Sequence, residues 1–360
     1  MNRNKNKNQK FHIIGAGIAG LACAKFIRQK NKSAEIIVYE AMPRPGGRCY
    51  SYYDKRLQRP LDNGTHVSLG VNKSINRLID KKKFVYRINF FDTLSVKISR
   101  SFKKYKSHLL VSIFNTPGHE VAHSLIKTVF WKLFPFTMFQ KKIYYSHNDL
   151  SRRLIEPLLG NASRIRYGWK LLKTEDNNGR VTALVFNRGK IDIGPREAVI
   201  CALDARNYGK VFGGPEFDYA DIINIHYRTS VELALPQKKK ILGIIKGMAH
   251  WIFINKDIVS VTISAAENLQ IDKDELAREV WKEICNIRGV EPAFVPPYRV
   301  LRHRRTTVKM DWSNNNNRPE SAATKFSNLF AAGDWTYKNY PCCMEGAVLS
   351  AKRAARLCTK

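Results

Sequence analysis

Six residues near the start of the chain, Gly15-Ala16-Gly17-Ile18-Ala19-Gly20, have the types and spacing for phosphate chemistry. They follow an apolar stretch, Phe11-His12-Ile13-Ile14, and precede a small-residue helical pattern, Leu21-Ala22-Cys23-Ala24-Lys25-Phe26-Ile27. A second apolar run over 34–39 ends at Glu40, 20 residues after the third glycine. Strand, glycine turn, helix, strand and acid in this order predict a dinucleotide-binding unit. Gly15 permits the tight turn, Gly17 lets backbone approach a pyrophosphate, and Gly20 lets helix and strand pack closely. The first helical turn, Ala19 included, offers amide donors and a positive dipole end to the phosphates. Glu40 is then placed to accept hydrogen bonds from ribose hydroxyls.

The following segment, Ala41-Met42-Pro43-Arg44-Pro45-Gly46-Gly47-Arg48, adds a second glycine pair and an arginine. This arrangement resembles the extended motif of the FAD-dependent amine oxidase and phytoene desaturase superfamily, and the resemblance implies FAD. Gly46 and Gly47 would pass close to the cofactor, and the forked donors of Arg48 would neutralise its pyrophosphate. An arginine on a surface turn is the competing reading. Near the other end, Leu329-Phe330-Ala331-Ala332-Gly333-Asp334 reads as a strand closing on Gly-Asp, followed by a helix opening at Met344-Glu345-Gly346. By the same resemblance, Gly333 and Asp334 would hold the flavin, Asp334 through a ribityl hydroxyl. The helix N-terminus at Met344 and Gly346 would stabilise anionic reduced flavin with its dipole. Small residues at 346, 347, 350, 351, 354 and 355 predict tight packing of that helix.

Three stretches narrow the resemblance: Leu61-Asp62-Asn63-Gly64-Thr65-His66, then His250-Trp251-Ile252-Phe253 with the run 259–266, then 332–336 with Pro341 and 344–348. Together they resemble the hydroxysqualene dehydroxylases, FAD-dependent bacterial enzymes of squalene and hopanoid supply. The likeness is clear over 11–72 and 220–357 and weak between. Thr65 stands where that family usually has Gln, and the chain is shorter around 85–110, which bears on the lipid pocket more than on flavin binding. The implied reaction is reductive removal of an allylic hydroxyl. It needs a proton donor, a water-excluding apolar tunnel, and π-faces that tolerate cationic character. Asp62 and His66 are the donor candidates, with Glu345 behind them, and Gly64 belongs to the loop the family places beside the flavin. A backbone-satisfied histidine and a turn-capping aspartate are the plainer readings. The aromatic-rich run 129–139 would line a lipid tunnel, dip into a membrane surface, or simply pack in the core.

These residues require an α/β protein. The expectation is a Rossmann-like FAD-binding domain of glutathione-reductase type (1–75, 160–215 and 300–360) and a discontinuous α+β substrate domain (76–159 and 216–299) containing an antiparallel sheet. Runs 179–185 and 198–202 read as strands of the first domain, and 249–254 and 259–264 as strands of the sheet. Residues 272–287 form an amphipathic helix capped at Asp272 and Glu275, and 314–317 a polar loop. A chain of 360 residues, 44% hydrophobic and 26% charged, excludes a disordered or collagen-like protein. Seven cysteines without C-x-x-C spacing argue for cytoplasmic thiols and against a metal site. The basic, then apolar, N-terminus imitates a secretory signal, but strand, turn and helix account for more of its residues.

The charge is extreme: 62 basic against 30 acidic residues, formally +32. Its clusters are small and scattered and accompany no nucleic-acid-binding pattern, so no specific nucleic acid is expected. The field suits peripheral docking on an anionic inner membrane surface, at about 1 kcal/mol per well-placed basic residue. The expected partners are therefore a lipophilic isoprenoid and that surface. The electron donor is unassigned. A carotenoid-type desaturase, an amine oxidase and a member that binds FAD without turnover remain alternatives.

Overall fold

The computed structural model describes residues 9–78, 102–139, 143–146, 148–235, 240–244, 247–292 and 294–360. Most of the region expected to be shortened, 85–110, lies outside them, and Phe102–Phe114 is a helix.

The near-continuous apolar runs become the inner strands, buried on both faces as a parallel sheet demands, while the edge strand Arg164–Tyr167 stays partly exposed. The order is Leu329–Ala331, Glu197–Cys201, Lys10–Ile14, Glu35–Glu40 and Arg164–Tyr167, with every neighbouring pair parallel. One layer over this sheet holds the helices Ile18–Lys30 and Met344–Cys358. Gly346, Ala347, Ser350, Ala351, Ala354 and Ala355 are all buried there, so small side chains set the close approach. Leu150, Leu154, Ile155 and Leu158 pack into the same layer. The opposite layer is an antiparallel meander, Leu171–Asn177, Arg180–Phe186 and Gly189–Asp192. It buries Val181, Leu184 and Phe186 against Ile37, Tyr39 and Val199.

The second sheet is antiparallel, in the order Ile241–Gly243, Trp251–Asn255, Ile258–Ser264, Tyr219–Arg228 and Tyr298–Val308. The boundary expected at 300 falls inside its last strand. Helix Lys273–Arg288 packs Leu276, Val280, Trp281 and Ile284 on one face of this sheet, against Ile223, Ile225, Val261 and Ile252. Asp272 caps that helix by accepting from the amides of Asp274 and Glu275. Glu275 thus contributes its backbone N–H to the cap.

The stretch 314–317 is not the loop its composition predicts. It belongs to helix Trp312–Asn317, capped by Asp311, with Asn314 and Asn315 buried. Each of these asparagines has a partner: Asn314 accepts from the Asp218 amide at 3.1 Å, and Asn315 accepts from the amide of Asn339 at 3.3 Å. Local hydrogen-bond competition, which makes asparagine loop-forming, is satisfied inside the fold instead. Among the described residues no helix is long and apolar enough to cross a membrane.

Ile284 is fully buried between helix and antiparallel sheet. Ile284→Ala is expected to cost about 2–5 kcal/mol in urea unfolding, leaving bound FAD per folded chain unchanged.

Candidate functional site

The glycine turn leaves strand Lys10–Ile14 with the Gly15 amide donating to the Tyr39 carbonyl at 2.7 Å. Gly20 sits where a Cβ would overlap the Gly15 carbonyl oxygen, so only glycine lets the helix begin this close to the strand. Gly17 caps helix Ile18–Lys30 without any side-chain hydrogen bond, and no acid occupies the first turn. First-turn amides are therefore left for an external anion. Ala19 is buried in this turn and faces the core, so only its backbone is available to a ligand.

Glu40 is buried, and its two carboxylate oxygens accept from the amides of Ala16 and Met42, each at 2.8 Å. It ties the glycine turn to its own strand end. A carboxylate oxygen accepts more than one hydrogen bond, so this task is compatible with ribose recognition. The second glycine pair docks on the first: the Gly46 amide donates to the Ala16 carbonyl at 2.8 Å, and Gly17 and Gly46 form a parallel bridge. Gly47 has a φ of +57°, and a Cβ there would stand 3.3 Å from the Gly17 Cα. Two bare backbones thus face each other at the helix N-terminus.

Arg48 and Asp334, expected to hold different parts of the cofactor, meet directly. Arg48 Nη2 donates to Asp334 Oδ1 at 2.7 Å, while Nη1 donates to the Thr306 carbonyl at 2.6 Å. The guanidinium is half exposed and the carboxylate buried, and Asp334 holds Arg48 firmly protonated. Gly333 is fixed by its amide donating to Ser350 Oγ at 2.9 Å. Gly346 opens the last helix beside the Pro341 carbonyl, where a Cβ would come within 2.7 Å. Met344 packs partly buried on the helical layer.

The donor candidates differ in what they touch. Asp62 is buried, and Oδ1 accepts from Ser51 Oγ at 2.7 Å and from the Leu150 amide at 3.0 Å. Burial outweighs those bonds and pushes its carboxyl up to about 6. Glu345 spends Oε1 on the Ser74 amide and Oε2 on the Ile75 amide, at 3.0 and 2.7 Å, capping helix Lys73–Asn76. His66 rests Nδ1 3.6 Å from Cys49 Sγ, while Nε2 is buried and without a partner among the described residues. Burial pulls its ring down to about 4. Gly64 serves the neighbouring sheet: a Cβ there would stand 3.3 Å from Asn224 Nδ2 and 3.8 Å from His66 Nε2. The adjacent free thiols Cys342 and Cys343 are pushed up to about 12 and 11 by burial, which keeps both protonated at neutral pH.

The residues that hold this turn fit an anionic dinucleotide. The uncapped helix N-terminus, the bare Gly17 and Gly47 backbones, Glu40 and Arg48 converge. Arg44, not singled out from sequence, adds a buried Nη1 without a partner among the described residues, above a guanidinium stacked 3.2 Å over the Tyr50 ring. Residues 109–359 match the family described as flavin containing amine oxidoreductase, and 13–81 match an NAD(P)-binding Rossmann-like domain. The chain belongs to the flavin-containing amine oxidoreductases. It is an FAD-dependent oxidoreductase.

Its likeness to hydroxysqualene dehydroxylases runs along nearly the whole chain. That of Rhodopseudomonas palustris is 28% identical over 414 aligned positions, covering 96% of this chain and 97% of the relative. That of Zymomonas mobilis is 27% identical, covering 96% and 98%. Alignments longer than the 360-residue chain mean that these relatives carry internal stretches it lacks. Among solved structures, a putrescine oxidase superposes with a TM-score of 0.66 at 12% identity, covering 97% and 98% of the two chains. An oxidoreductase from Methanosarcina mazei gives 0.65 at 14%, covering 95% and 98%. These two share the fold.

Sequence reading also missed Arg318, Asn224, His226 and His303. Only Asn224 and His226 left a signal, the polar alternation within 222–227.

Gly20→Ala is expected to abolish FAD retention on gel filtration, because the overlapped atom belongs to backbone. Burial pulls His66, His108 and His226 down to about 4, from an ordinary 6.5. Unfolding frees them to take protons, so their contribution to stability is full above pH 6.5 and lost as pH falls toward 4. Asp62 runs the other way, since its raised carboxyl favours the folded state below about 6. His226→Phe should remove about 1.4 kcal/mol per pH unit from the slope of unfolding free energy between pH 4.5 and 6, measured by urea titration. An unchanged slope contradicts it.

Proposed function

We propose that this enzyme removes the hydroxyl of hydroxysqualene reductively, giving squalene and water. The observation that carries this reading is the alignment with hydroxysqualene dehydroxylases over 96% of the chain. In the reaction a proton goes to the hydroxyl oxygen, the C–O bond breaks, water departs and the carbon receives a hydride. Reduced FAD, when bound, supplies the hydride. Glu40, Arg48, Arg44 and the first-turn amides would hold the dinucleotide, with Asp334 and the N-terminus of Met344–Cys358 at the flavin end.

The protein's own task is to bring a proton into a dry site. Asp62, raised to about 6, keeps a substantial protonated fraction closer to neutrality than a free carboxyl does. His66 Nε2 and Asn224 Nδ2 both lie beside Gly64. Asp62 is the donor candidate at neutral pH, and the His66 ring, held neutral by burial, takes part through hydrogen bonding. Glu345 supports the site as a cap, with each oxygen already bonded to backbone.

The enzyme is further proposed to work at the inner face of the cytoplasmic membrane, where its substrate dissolves. Helix His123–Phe139 contains no acidic residue, and it exposes Phe130 and Trp131 by 60% and 64% while burying Leu125 and Val129. The core reading of the aromatic run therefore does not hold for those two residues. Residues 132–139 are helical, and their side chains lie outside the described ones. Exposed aromatics on a protein of net charge +32 suit an anionic interface.

Two measurements test these proposals. Under anaerobic conditions, photoreduced holoenzyme mixed with hydroxysqualene should yield squalene as the flavin reoxidises. No squalene in that mixture removes the dehydroxylase reading. Sedimentation should occur with anionic vesicles and weaken severalfold in a Phe130→Ser, Trp131→Ser double variant. Equal binding to neutral vesicles would dismiss the surface.

A further inference from the structure

The antiparallel sheet has two unlike faces, both buried. Ile223, Ile225, Val259, Val261 and Ile263 pack on helix Lys273–Arg288. The alternate residues turn toward the loop 61–66 and are polar at one end and aromatic at the other. At the polar end Asn224 Oδ1 accepts from Thr262 Oγ1 at 3.1 Å, and His226 Nδ1 meets Ser260 Oγ at 2.8 Å. His303, paired across the sheet with Ile222, bonds to the Asn63 backbone. At the other end stand Trp251 and Phe253, whose ring centroids are 6.3 Å apart.

Among the described residues four histidine ring nitrogens remain over, His108 Nε2 beside Trp251 and three at the polar end. Nε2 of His66, His226 and His303 is in each case buried and without a hydrogen-bond partner among the described residues. His226 is only 1% exposed. A buried polar atom left unmet is costly, and the three near Asn224 and the 61–66 loop form a site for a small polar group. We infer that this end is a hydroxyl-recognition pocket. Asn224 Nδ2 donates to the hydroxyl oxygen of a long apolar alcohol and His303 Nε2 accepts a hydrogen bond from its proton, with His66 Nε2 alongside, while the hydrocarbon chain lies toward Trp251 and Phe253. His226 backs the pocket. This assignment deepens the dehydroxylase reading and rests on it. It also explains how one enzyme tells its substrate from its product, which differ by that hydroxyl alone: a site built to bond a hydroxyl rejects the analogue lacking it.

The test uses oxidised holoenzyme, which does not turn over, and follows the visible flavin spectrum. Hydroxysqualene and squalene are titrated separately in the same detergent. Wild type should bind the alcohol at least about tenfold more tightly than the hydrocarbon. His303→Phe and Asn224→Leu should bring the two affinities to within about threefold, chiefly by weakening the alcohol. His303→Gln, which keeps a polar group, should restore part of the difference and guards against a folding defect, with bound FAD per chain as the check. Equal affinities in wild type, or an unchanged ratio in the variants, overturns the pocket while leaving the dehydroxylase reading intact. A flavin that responds to neither compound removes both.

Discussion

The site depends on a single peptide unit, Ala16. Its amide donates to Glu40 and its carbonyl accepts from Gly46, both at 2.8 Å. These two bonds hold the glycine turn, the end of the neighbouring strand and the second glycine pair in one rigid arrangement. Neither partner is close in sequence, so the turn can take this shape only once strands Lys10–Ile14 and Glu35–Glu40 have paired in register. The parallel sheet sets the distance, glycine at 20 lets the helix pack on the Gly15 carbonyl, and glycine at 17 and 47 leaves two bare backbones facing each other.

The far end of the chain closes onto this turn through charge and buried hydrogen bonds. Arg48 joins Asp334 and the Thr306 carbonyl, so the antiparallel sheet, the closing strand and the glycine loop share one guanidinium. Behind Asp334 lies Arg318, 1% exposed. It donates to the carbonyls of Asp334, Trp335, Tyr337 and Tyr340 at 2.7–3.0 Å. A fork of fixed geometry suits that task, because an irregular backbone needs several donors at set positions. The position of Asp334 is therefore enforced from both sides.

What could be read from sequence was what local geometry demands. The three glycines and Glu40 follow from a turn whose steric limits are written in neighbouring residues, and the strands and the capped helix follow from hydrophobic period. Distant partners were not legible. Glu345 looked like an acid near the flavin, but its carboxylate is occupied by the amides of Ser74 and Ile75, some 270 residues away. Asn314 and Asn315 looked like loop residues because their partners come from other segments. His303 gave no signal at all. It acquires meaning only when its strand pairs with Tyr219–Arg228 and turns its ring toward the loop holding His66.

The contact between the bare backbones of Gly17 and Gly47 is proposed to build the FAD cradle. The direct measurement is calorimetric titration of apoprotein with FAD, comparing wild type with Gly47→Ala. The substitution places a methyl 3.3 Å from the Gly17 Cα and forces a positive φ on alanine. FAD affinity should fall by at least about tenfold, a loss of about 1.4 kcal/mol, with the far-UV spectrum of the apoprotein unchanged. An unaltered affinity in a folded variant would contradict the account.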